Sequence, residues 1–184
     1  MTKGIILKTI PLFGSVILFL AWVFQQTLLG DANSELQRIY NAQSVFQTYQ
    51  SNNALFDAIL ETVKNSTGSV ELIRRVQIYN YELGLRELEA LLDKDARTDI
   101  PRAPNPYSGT PDIGTMMGTT QDRIEKIQGK LADKRNEITN RKATLNTMFL
   151  ILYAVGSVIV LVGSILNAVT ASKSSESESK AVKR

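Results

Sequence analysis

Met148 to Val169 reads MFLILYAVGSVIVLVGSILNAV, 22 residues without a charge. About 20 apolar residues are enough for a helix to cross a bilayer. What precedes this run is patterned for a helix as well. Met117, Ile124, Leu131, Ile138 and Leu145 are seven apart, and Ile113, Thr120, Ile127 and Met148 fill the second seam position, the repeat of a coiled coil. No proline or glycine pair separates the halves, so the spacing predicts one helix that leaves the membrane as an arm. The arm, Thr119 to Asn146, would be about 42 Å long at 1.5 Å per residue.

A second uncharged run lies near the start. Lys3 and Lys8 precede Thr9 to Gly30, which holds Pro11 early and Trp22 toward its far end, where interfacial aromatics belong. Small residues around Gly30-Asp31-Ala32 also fit a cleavable signal sequence. The length of the run, and a second span to pack against, favour a retained anchor. Gly14 and Ala21 in the first span and Gly156 and Gly163 in the second are expected to pack the spans, because small residues let helix backbones approach in lipid. Lys3 and Lys8 before the first span, against Asp31 and Glu35 after it, orient the amino terminus to the cytoplasm. Both termini are then inside, at the plasma (inner) membrane, with residues 31–146 outside.

The outer segment is predicted to hold three helices, at about 34–64, 69–97 and 119–146. Ser34 and Gln37 form a capping-box pattern. Ile39, Phe46, Asn53 and Leu60 alternate with Ala42, Tyr49, Phe56 and Val63 at heptad spacing, with Asn53 as a polar register residue. In the second helix Leu72, Val76, Tyr79 and Leu83 share one face, while Ile78, Tyr81, Leu85, Leu88 and Leu92 lie nearly opposite. One bundle need not cover both, so Leu85, Leu88 and Leu92, with Ile78 and Tyr81, are the candidate partner interface.

Residues 98–118 carry Pro101, Pro104, Pro106, Pro111 and three glycines. The second helix ends near the membrane and the third must start away from it, so this segment has to climb about 40 Å. Polyproline-like backbone rises ~3.1 Å per residue, which makes the segment a strap along the bundle. Residues 171–184, rich in Ser and charge, lack the apolar content to bury a core and read as a disordered cytoplasmic tail.

The class is therefore an all-α membrane protein with two transmembrane helices flanking an extracytoplasmic three-helix coiled-coil bundle. Its layout of anchor, helical bundle and anchor resembles the sensing modules of bacterial chemoreceptors and histidine kinases, and no sequence motif carries the resemblance. Those proteins continue into a long signalling module, whereas about 14 residues follow the second span.

Cysteine and histidine are both absent, which removes thiol nucleophiles, Cys/His zinc sites and the commonest general base. The net charge of +3 is no nucleic-acid signature: residues 31–146 hold 15 Lys/Arg and 16 Asp/Glu, interspersed. No catalytic residue, cofactor, metal or small-molecule substrate is expected. The expected function is a non-enzymatic scaffolding, assembly or accessory subunit that binds a protein partner or itself. The alternative is a ligand-sensing receptor subunit, with Arg74 and Arg75 as anion contacts.

Overall fold

A computed structural model describes residues 2–65, 67–107 and 112–182. The expected all-α content is found, with no strand among the described residues. The helices are α1 (Thr2–Phe24), α2 (Gly30–Val63), α3 (Thr67–Ala90) and α4 (Ile113–Val182). A π-helical turn, Gln25–Leu29, joins α1 to α2, and a 3-10 turn, Asp95–Arg97, follows α3. Two helical stretches, Thr9–Val63 and Ile113–Lys173, contain windows long and apolar enough to cross a membrane. The chain divides into two compact units, residues 1–33 with 140–184, and residues 34–139.

The first unit is a pair of helices packed through small residues. A Cβ on Gly14 would stand 2.8 Å from the Val160 nitrogen and 3.0 Å from the Gly156 carbonyl oxygen. On Gly156 it would meet Leu18 at 3.0 Å, and on Gly163 the Pro11 ring at 2.8 Å. Ala21 is fully buried. The structure thus brings the three glycines against the facing helix, and Pro11 fills the space that Gly163 leaves open. Gly163→Leu is expected to cost about 1–3 kcal/mol by overpacking against that rigid ring. Thermal unfolding in detergent checks it, and an unchanged midpoint would remove the packing role from this glycine.

The 34–139 unit has its core between α2, α3 and α4. Phe46, Leu85, Leu88, Leu92, Ile124, Ile127 and Leu131 form one buried cluster, and Ile100 from the Pro-rich segment completes it. Where α2 crosses α3, a Cβ on Gly84 would lie 2.7 Å from the Tyr49 ring and 2.9 Å from Phe46, so glycine sets that approach. Asn53, 1% exposed, donates to the Gln77 carbonyl at 3.3 Å and accepts from Asn80 Nδ2 at 2.9 Å.

Several boundaries differ from the expected ones. Ser34 starts no helix, because the chain before it is already helical and leaves no orphan N–H to cap. Gln37 bonds forward to Asn41 instead, at 3.0 Å. Helix α3 stops at Ala90 rather than near Arg97. The Arg97 guanidinium turns back to the carbonyls of Leu92 (2.8 Å) and Ala90 (3.0 Å), closing the end and letting Ile100 enter the core. Helix α4 begins at Ile113, six residues before the expected start at Thr119. Asp112 caps it, accepting from the Thr115 N–H at 3.1 Å and the Thr115 hydroxyl at 2.8 Å. That cap and the burial of Met116 outweigh the roughly 1 kcal/mol that a glycine costs within a helix. The expected seam residue Met117 is 36% exposed and its neighbour Met116 takes the buried place. The tail expected to be disordered is helical to Val182, since no Pro or Gly follows Gly163 to stop the helix. Lys183 and Arg184 lie outside the described residues.

Candidate functional site

Residues 98–107 run along α3 and α4 and are tied to both. Lys130 pairs with Asp99 at 2.8 Å and Lys126 Nζ donates to the Asp99 carbonyl at 3.2 Å. Arg123 Nη1 donates to the Pro101 carbonyl, and Arg75 Nη1 donates to the Pro106 carbonyl at 2.8 Å. The contacts step toward the start of α4 and the start of α3 as the segment proceeds. Prolines suit such a path, because their fixed φ extends the chain and their missing N–H needs no partner. Gly109 and Pro111 lie outside the described residues.

Beneath this segment sits a buried charge cluster. Arg123 and Glu82 are each 3% exposed. Arg123 Nε donates to Glu82 at 3.0 Å, its Nη2 donates to Glu89 at 2.7 Å, and the Thr120 hydroxyl donates to Glu82 at 3.0 Å. Burial pushes the Glu82 carboxyl above the usual carboxylate range, against the pull of Arg123 and the Thr120 hydrogen bond. Removing two charges from water costs several kcal/mol each, which their attraction offsets only with good geometry. Here all three donor groups of the guanidinium have acceptors.

Sequence reasoning did not single out Glu82, Glu89 or Arg123. The signal was available: Ile78, Glu82, Leu85 and Glu89 share one face of α3, and Met116, Thr120, Arg123 and Ile127 share one face of α4. Opposite charges at core positions of two neighbouring helices are the pattern of an internal ion pair.

The candidate partner interface is corrected by the structure. Ile78 (1%), Leu85 (0%), Leu88 (0%) and Leu92 (2%) are interior, and Tyr81 packs on the same cluster. Leu85, Leu88 and Leu92 share one buried cluster with Ile124, Ile127 and Leu131 of α4 and Phe46 of α2. The opposite face is the open one, with Leu72 63% and Val76 40% exposed. Its lower part meets the Pro-rich segment, where the Tyr79 and Tyr107 rings lie 5.8 Å apart. Here α3 and residues 103–107 bound a cleft of about 230 Å³.

Arg74 and Arg75, the candidate anion contacts, are engaged. Arg74 lies 3.5 Å from Asp57 and donates to Gln77 at 3.3 Å. Arg75 pairs with Glu71 at 2.8 Å as well as with Pro106.

The arrangement defines an all-helical protein with two helices long and apolar enough to cross a membrane. Comparison with protein families, curated proteins and solved structures finds no match to this chain.

Proposed function

We propose that the chain is a two-pass membrane protein, non-enzymatic, that serves as a scaffolding, assembly or accessory subunit of a membrane complex. Residues 31–146 form its extracytoplasmic helical bundle, and both termini lie in the cytoplasm. The observation that carries the membrane reading is how little of the apolar windows is buried, 17% and 11%. The core helix of a water-soluble protein hides its apolar residues. Here Leu12, Phe13, Phe19, Leu150, Ile151 and Leu161 are each more than half exposed, and lipid is the solvent that suits them. The open Leu72/Val76 face of α3 supports protein binding, in place of the Leu85/Leu88/Leu92 face.

The topology is tested by single cysteines in this cysteine-free chain. Ser51→Cys is expected to react with an impermeant thiol reagent in intact cells, and Ser179→Cys only after permeabilisation. The opposite pattern reverses the orientation, and labelling of both sites in intact cells removes the two-pass reading. Co-purification in mild detergent tests the subunit role, with a stoichiometric second protein or a second copy as the expected result.

The receptor reading is favoured by one observation, the cleft between α3 and the Pro-rich segment. Arg74 and Arg75 no longer support it, because internal carboxylates and carbonyls already occupy them.

A further inference from the structure

The cleft has an unusual division of labour among its charged groups. Its walls are mainly apolar, from Tyr79, Leu83, Pro104, Pro106 and Tyr107, and Arg86 stands at its edge. Arg86 makes neither a hydrogen bond nor an ion pair to any described residue. Glu82 and Pro106, which carry groups that would repel an anion, also line the cleft, but those groups are already engaged by donors. Both Glu82 oxygens are taken, by Thr120 and by Arg123, and the Pro106 carbonyl accepts from Arg75.

We propose that this cleft binds a small organic acid, with its carboxylate on Arg86 and a ring or short apolar body between Tyr79, Leu83 and the prolines. A guanidinium offers paired N–H donors that match a carboxylate, and the Tyr79 and Tyr107 rings, tilted at 56° to each other, supply apolar surface for a ring edge or face. At about 230 Å³ the space falls below the ~300 Å³ at which pockets for drug-sized ligands begin, so the ligand is a single ring or a short acyl chain. The cleft is held in shape beforehand, because proline fixes the backbone of one wall and Arg75 and Arg123 anchor that wall at Pro106 and Pro101. Ordering it costs little on binding.

The probe is phenylacetate, titrated into the full chain in lipid nanodiscs and followed by the Leu83 methyl resonances. Saturable shifts with a Kd of about 1 mM are expected. Phenylacetamide and phenethylamine, which keep the ring and lose the anion, are expected to bind at least about tenfold more weakly. Arg86→Gln is expected to weaken phenylacetate by about tenfold and leave phenylacetamide unchanged, with Arg86→Lys between. Arg86 is exposed, and circular dichroism confirms that each variant keeps its helix content. The wild-type comparison of acid with amide needs no variant at all. Shifts that do not saturate, equal binding of acid and amide, or an unchanged affinity in Arg86→Gln would each overturn the proposal. Its failure leaves the subunit reading standing, since labelling and co-purification test that separately.

Discussion

Arg123→Leu destabilises the 34–139 unit by about 3–5 kcal/mol, the cost of stranding a buried charge, while Glu82→Gln costs only about 1 kcal/mol. The asymmetry follows from what each substitution leaves behind. Without Arg123, Glu82 stays buried with Thr120 as its one remaining donor, and both Glu89 and the Pro101 carbonyl lose a partner. Without the Glu82 charge, Arg123 keeps Glu89 and Pro101, and the desolvation that dominates at Glu82 is relieved. Urea unfolding of the full chain in detergent, followed by far-ultraviolet circular dichroism, measures both. Equal losses would mean that attraction rather than burial governs the pair.

The pH dependence carries the same signature. Glu82 is raised from 4.5, so the folded unit holds a proton that the unfolded chain has already released. Its stabilising contribution is therefore complete below 4.5 and is lost as pH climbs through the raised value. Asp99 and Asp112 act in the opposite sense. A hydrogen bond from Lys130 lowers Asp99, and the Thr115 backbone N–H lowers Asp112, both from 3.8. Their contributions are present above 3.8 and are lost as pH falls through the lowered values. Glu82→Gln is thus expected to remove the decline above 4.5 and to keep the acid limb. A Glu82→Gln profile that parallels the wild type above 4.5 would place the raised carboxyl elsewhere.

Leu88→Glu is expected to unfold the 34–139 unit, with a loss of about 4 kcal/mol or more. Leu88 is fully buried among Leu85, Leu92, Ile127 and Leu131, with no cation in that cluster to pair the new carboxylate. Leu88→Ala, which only opens a cavity, is expected to cost about 2–5 kcal/mol. A Leu88→Glu chain that kept its helix content and merely lost association with a partner would restore this face as an interface. The same substitution on the open face, Leu72→Glu, is expected to leave stability within about 0.5 kcal/mol and to reduce co-purification of the partner.

Much of this architecture was legible in the chain. Uncharged length marks the two candidate spans, since only a helix satisfies its backbone within such a run. Heptad spacing picks out Ile39, Phe46, Asn53 and Leu60 on α2 and Ile124, Ile127, Leu131 and Ile138 on α4, all buried. Small residues at Gly14, Gly156 and Gly163 identify where the α1 and α4 backbones meet. Each is a property of local periodicity or side-chain size, which sequence spacing reports directly.

Which face of α3 lies inside is a different kind of fact. Leu72, Val76, Tyr79 and Leu83 are as apolar as Ile78, Leu85, Leu88 and Leu92, and periodicity treats the two stripes alike. The tertiary structure decides between them through Glu82 and Glu89, which share the inner face and find Arg123 across the helix interface. Gly84 presses another part of α3 against Tyr49 and Phe46 of α2. The helix ends were decided in the same way. Ser34 has a cap's chemistry but no free helix end, and Asp112 starts α4 despite two following glycines. Buried charges and close backbone approaches depend on partners tens of residues away, and a reading by local spacing does not reach that far.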